Sequence, residues 1–208
     1  MGGAISQRRT LSPIELSLRE FLRTSKRVGP SVSLTLVRLN KWTMSIQAGR
    51  EDAGLKSILA KAGRGPASDA VESIAESLIE GAVGSERKLL SKSLQEALYY
   101  CVDFDSGIGS AEFKTRFLRY LNRYGAASFI RKFLSFFFFN FVWSEAGESF
   151  RALAWTSDAF EKDMESIDEI CQRIVAASWK SFQRTQRRLD RSAAGELARS
   201  IELQLRGA

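Results

Sequence analysis

The 208 residues are 44% hydrophobic, enough for one substantial core, which excludes a disordered chain. There is no histidine, and that excludes Ser-His-Asp and Cys-His nucleophilic systems and His-ligated zinc. The net charge of +7 is concentrated: residues 1–50 hold nine basic side chains against Glu15 and Glu20, and the rest of the chain holds 22 of each sign. Such asymmetry points to an anionic partner surface, either lipid headgroups or nucleic acid.

In chain order, Met1-Gly2-Gly3-Ala4-Ile5-Ser6 comes first and fits the N-myristoylation pattern. Gly2 becomes N-terminal once Met1 is removed, and a hydroxyl residue stands at position six. Gly2 is therefore the expected lipidation site, and the cytoplasmic face of a membrane the expected location, with the cytoplasm as alternative. One myristoyl chain binds a bilayer only marginally, with a constant of about 10⁴ M⁻¹, so a second signal is needed. Arg8 and Arg9 follow at once, and each cation close to an anionic leaflet adds about 1 kcal/mol.

Ser12-Pro13-Ile14-Glu15 combines an N-cap serine, proline at the first helical position and glutamate three residues after the cap, predicting a helix to about Lys26. Leu11, Ile14, Leu18, Phe21 and Leu22 share one face, Arg19, Arg23, Lys26 and Arg27 cluster on another, and Leu16 falls on the polar side. Two readings stand: a basic amphipathic helix lying on a membrane, or a core-packed helix with a solvated basic face. Arg8, Arg9, Arg19, Arg23, Lys26 and Arg27 form the candidate anionic-surface set.

Gly29-Pro30 reads as the end of that helix. The stretches Val32 to Val37 and Trp42 to Ile46, separated by Asn40-Lys41, predict a small β-hairpin over 32–46. An isolated hairpin is marginal in water, so it is expected to lie on the helical body. Gly63-Arg64-Gly65-Pro66 is the internal linker, dividing a basic membrane-facing segment (1–50) from a helical bundle domain (67–208). Amphipathic helices follow over about 69–82 and 86–101.

The run from Asp103 to Gly109 superficially suggests a calcium loop. Its sixth position is Ile108 and its twelfth Lys114, where glycine and glutamate are needed, so it reads as an ordinary loop leading to an N-cap at Ser110. The next helix carries Lys114, Arg116, Arg119 and Arg123, with Phe113, Phe117, Leu121 and Tyr124 on another face. This stripe is either a solvated face or a second basic patch for the phosphates of lipid or RNA.

Residues 126–143 contain the run Phe136-Phe137-Phe138-Phe139. The uncharged stretch Phe133 to Trp143 covers 11 residues, about 16 Å of helix against roughly 30 Å of hydrocarbon. It is too short to span, and being apolar on nearly every side it predicts a central core helix. The expected fold is mainly α, a helical bundle around this aromatic-rich helix. The arrangement resembles the small α-bundles of Bcl-2-like proteins, in which amphipathic helices wrap one apolar helix. Where that family has Asn-Trp-Gly-Arg, this chain has Tyr124-Gly125, so no family property is carried over.

The longest regular element is expected from about Asp158 to Asp190. Its acids lie early and its bases late, matching the helix macrodipole, and its apolar positions suit bundle packing or a self-association seam. A short helix over about 194–205 closes the chain. Cys101 and Cys171 lack partners at metal or redox spacing, predicting free buried thiols. No Walker motif, nucleophile elbow or kinase signature occurs. With no catalytic residue, cofactor or metal site in view, a non-enzymatic binding or scaffolding role is expected. In overall logic the chain resembles the acylated basic matrix proteins of some viruses, a likeness carried by six N-terminal residues and the charge pattern. The expected partners are an anionic membrane surface and a protein or second copy of the chain. The alternative is a soluble basic helical protein that binds RNA or a host protein through its Arg-rich faces.

Overall fold

The helix start expected at Ser12 forms as a reciprocal capping box. The Ser12 hydroxyl accepts the Glu15 N–H at 3.3 Å, and the Glu15 carboxylate accepts the Ser12 N–H at 2.9 Å. The Ser12 amide, followed by the Arg173 guanidinium that pairs with the same side chain, holds the Glu15 carboxyl below its ordinary range against the opposing effect of burial. Helix α1 (Pro13–Arg23) ends at Thr24, a little before Lys26.

The computed structural model describes residues 12–49, 65–103, 107–154, 156–185 and 188–207. Among them there are seven helices and no strand. After α1 come α2 (Ser31–Gln47), α3 (Ala67–Leu78), α4 (Gly84–Val102), α5 (Ser110–Leu153), α6 (Ser157–Arg184) and α7 (Arg191–Arg206). The mainly α architecture is thus as expected. Gly63 and Arg64 of the expected linker lie outside the described residues.

The expected β-hairpin is absent, because residues 32–46 lie wholly within α2. The buried side chains Val32, Leu36, Leu39, Thr43 and Ile46 recur at steps of four and three, one face of a helix. β-branched residues disfavour a helix only slightly, and burying that face on α5 and α7 outweighs the preference. Gly29-Pro30 precedes α2 instead of ending α1. Ser110 is the first residue of α5 rather than its cap, and its hydroxyl donates to the Gly65 carbonyl at 2.9 Å.

Helix α5 is broken at Gly125, whose φ of 79° and ψ of 162° are accessible to glycine alone. Phe117 and Phe129 meet edge-to-face at 5.2 Å between centroids, although twelve residues of straight helix span about 18 Å. The halves 110–124 and 126–153 therefore fold back on one another. Gln47 satisfies both broken ends, donating to the Leu121 carbonyl at 2.9 Å and accepting the Ala126 N–H at 3.2 Å.

The second half of α5 supplies the centre of the core. Phe129, Phe133, Phe137 and Phe138 are fully buried together with Phe113 and Phe117. Leu18 and Leu22 of α1 and Leu36 and Leu39 of α2 belong to the same hydrophobic cluster. By length and composition α5 is long and apolar enough to cross a membrane, but its apolar side chains mostly face protein. Its burial is incomplete, however: Phe136, Phe139 and Trp143 are only half-buried. Both cysteines are free and buried as expected, and burial pushes the Cys101 thiol up to about 12.

Candidate anionic-surface site

The connection from α1 to α2, residues 24–30, is held through its backbone. The N–H groups of Lys26, Val28 and Ser31 donate to Glu145 (3.2 Å), Glu202 (3.3 Å) and Glu86 (3.0 Å), carboxylates from α5, α7 and α4. From the other side the Arg206 guanidinium donates to the carbonyls of Leu22, Ser25 (3.3 Å) and Lys26 (2.5 Å) and pairs with Glu202 at 3.0 Å. The helix ends explain two of these contacts: the Leu22 carbonyl of α1 attracts a cation, and the Ser31 amide of α2, which has no capping side chain of its own, attracts an anion. At Gly29 a Cβ would stand 2.6 Å from the Glu86 carboxylate, so only glycine leaves Glu86 where it caps α2.

Because backbone groups engage these carboxylates, the loop's own cations stay outside. Lys26 and Arg27 are exposed and have no ion pair among the described residues. Lys26, Arg27, Lys88 and Lys92 border a cleft of about 490 Å³. Arg23, Arg27, Arg199 and Arg206 border a neighbouring one of about 640 Å³, with Arg27 common to both. The fold thus gathers one cationic surface from α1, its following loop, α4 and α7. Such a surface can attract phosphate groups over a wide area without holding any one of them in a cage.

The sequence-predicted residues divide unevenly on it. Arg23 is exposed and pairs with Glu20 at 3.1 Å, an interaction of small worth at that exposure. Arg19 lies against the end of α7, where a Cβ on Gly207 would meet its Cδ at 2.5 Å. Gly2, Arg8 and Arg9 lie outside the described residues. Lys88, Lys92 and Arg199 are absent from the sequence-predicted set. The i, i+4 spacing of Lys88 and Lys92 was visible, but nothing in sequence links them to residues sixty positions away.

Of the two readings of α1, the geometry matches the core-packed one. Leu18 and Leu22 are buried, Ile14 and Phe21 pack on the core, and Phe21 meets Phe150 edge-to-face at 4.9 Å. Leu11 lies outside the described residues; among those described in α1, Leu16, 55% exposed, is the large apolar side chain left outside the core, so α1 as described presents charge to its surroundings rather than an apolar face.

The second candidate patch is built differently. Arg116 donates to the carbonyls of Val102 (3.3 Å) and Asp103 (3.0 Å) and pairs with Glu112 at 2.5 Å, so it closes the end of α4. Lys114 is half-buried, while Arg119 and Arg123 are exposed. The Arg123 guanidinium sits 5.1 Å from the ring of Tyr124, itself 52% exposed. Burial raises the Tyr120 hydroxyl well above its ordinary range, and Tyr120 shares this cleft of about 800 Å³ with Tyr124, Arg119 and Arg123. It shares no lining residue with the clefts around Arg27.

In comparison with known proteins, no protein family, curated protein or solved structure matches this chain.

Proposed function

We propose that this chain is an N-myristoylated peripheral membrane protein with a binding or scaffolding role, matrix-like in logic. It docks on an anionic leaflet through an acyl group on Gly2 and the cations that follow. The observation that carries the reading is the loop at 24–30, where Glu86, Glu145 and Glu202 bind backbone amides and leave Lys26 and Arg27 unpaired. Lys88 and Arg199 extend the same charge across two more helices, beside Lys92, which pairs with Glu96 at 3.8 Å. An acyl chain alone is too weak an anchor, and a fixed cationic surface is the second signal that stable anchoring requires. Because α1 keeps its apolar face in the core, the protein meets lipid by charge and acyl chain, without inserting a helix.

Gly2→Ala is compared with the parent, both expressed in eukaryotic cells, by flotation with vesicles containing phosphatidylserine. Loss of flotation is the expected result. Unchanged partitioning, or a parent whose mass shows no acyl group, overturns the proposal. RNA binding is the second reading, favoured by one observation: cations stand over exposed rings, with Lys132 Nζ 3.8 Å from the centroid of Tyr100, 56% exposed, and Arg123 over Tyr124. Such pairs suit the stacking of unpaired bases.

A further inference from the structure

One side of the central aromatic helix is left open. Phe136, Phe139 and Trp143 of α5, with Phe160 and Met164 of α6, line a groove of about 510 Å³. Four carboxylates, Glu96, Glu161, Glu165 and Asp168, form its rim. Glu96 accepts from Asn140 at 2.5 Å and pairs with Lys92 at 3.8 Å, and Asp168 accepts from Gln172 at 2.6 Å. Glu161 and Glu165 are exposed, and neither has an ion pair among the described residues. The chain's own cations already occupy the two ends of the aromatic floor. Lys132 Nζ stands 5.6 Å from the Phe136 ring, and the Arg151 guanidinium 5.5 Å from Phe160 and 6.0 Å from Trp143.

We propose that this groove docks a basic amphipathic helix from a partner protein. The partner's apolar side chains would enter between α5 and α6, while its flanking Lys and Arg meet Glu161, Glu165 and Asp168 and stack on the aromatic walls. Charge complementarity selects this occupant. Anionic lipid is repelled by the rim. Among the described residues, α1 has its apolar face in the core, and the basic stripe of α5 adjoins Phe113, Phe117 and Leu121, all fully buried, so neither of these described helices offers a second copy a free face that is both basic and apolar. From Glu161 to Asp168 the rim runs about 10 Å, two turns of helix, which suits such a segment.

The test uses the full chain without lipid, so its outcome is independent of Gly2 acylation. The probe is a fluorescent synthetic peptide of about 16 residues, with Leu and Phe at i, i+3, i+4 and i+7 spacing and Lys or Arg elsewhere, followed by anisotropy. A scrambled peptide of the same composition and one with Glu for every cation are the comparators. The patterned basic peptide is expected to bind best, and the Glu161→Lys/Glu165→Lys variant to bind it at least about tenfold more weakly. Glu72→Lys/Glu80→Lys, which changes net charge equally at exposed sites elsewhere, is expected to bind like the parent. Equal binding of the scrambled or acidic peptide, no binding, or an undiminished affinity in Glu161→Lys/Glu165→Lys overturns the proposal. So does self-association that the peptide displaces and that this variant abolishes, since the occupant is then a second copy.

Discussion

The cations of the 24–30 loop and those at the start of α5 look alike in sequence, yet the fold treats them differently. Around the loop, carboxylates from three helices take the backbone amides and Arg206 takes the carbonyls, leaving Lys26 and Arg27 with solvent. On α5, Arg116 is itself the group that satisfies carbonyls, at the end of α4, and only Arg119 and Arg123 remain. Arg116 and Arg206 each satisfy carbonyls at the end of another helix, which are costly to leave unpaired, whereas Arg23 and Arg27, beside the end of α1, do not. A basic patch read from sequence is therefore an upper bound on the charge offered to a ligand.

Arg206→Ala is expected to have the largest effect on stability. Arg206 and Glu202 are 14% and 9% exposed, and removing one partner of so buried a pair costs about 3 to 5 kcal/mol. Chemical denaturation measures the loss, and a change below about 1 kcal/mol means that the loop is not held as described. Arg116→Ala is expected to cost less, about 1 to 2 kcal/mol, since its guanidinium is 32% exposed and only part of its bonding is desolvated. A fully neutral result returns Arg116 to the ligand-binding set. Lys26→Ala/Arg27→Ala is expected to change stability by no more than about 0.5 kcal/mol. On vesicles containing phosphatidylserine it is expected to weaken binding by up to about thirtyfold at low salt. Equal weakening by Arg119→Ala/Arg123→Ala would erase the distinction between the two groups.

Much of the helix map was legible because its signals are local. The capping box at Ser12 and Glu15, the apolar periodicity of α3 and α4 and the aromatic run of α5 each point to one structure. Over 32–46 β propensity and helical spacing conflict, and the four-and-three spacing of Val32, Leu36, Leu39, Thr43 and Ile46 prevails because that face is buried. Of the cationic surface, Arg23, Lys26 and Arg27 were legible from their clustering, whereas Lys88, Lys92 and Arg199 joined them only through folding. The open side of α5 was not legible at all, since hydrophobicity on every face predicts complete burial, and α6 leaves Phe136, Phe139 and Trp143 partly uncovered.

By itself the sequence determined that the chain is mainly helical, that its aromatic run belongs to the core and that its charge is concentrated near the N-terminus. These follow from periodicity, capping and composition, which act between residues a few positions apart. Long-range packing settles which cations are left exposed, where Gly125 reverses α5 and which face of the aromatic helix stays open. Each depends on atoms far apart in the chain: the carboxylates of Glu86, Glu145 and Glu202, the amide of Gln47 and the placement of α6. Whether a buried polar group or an apolar face finds a partner is settled by the whole packing, not by its neighbours in sequence.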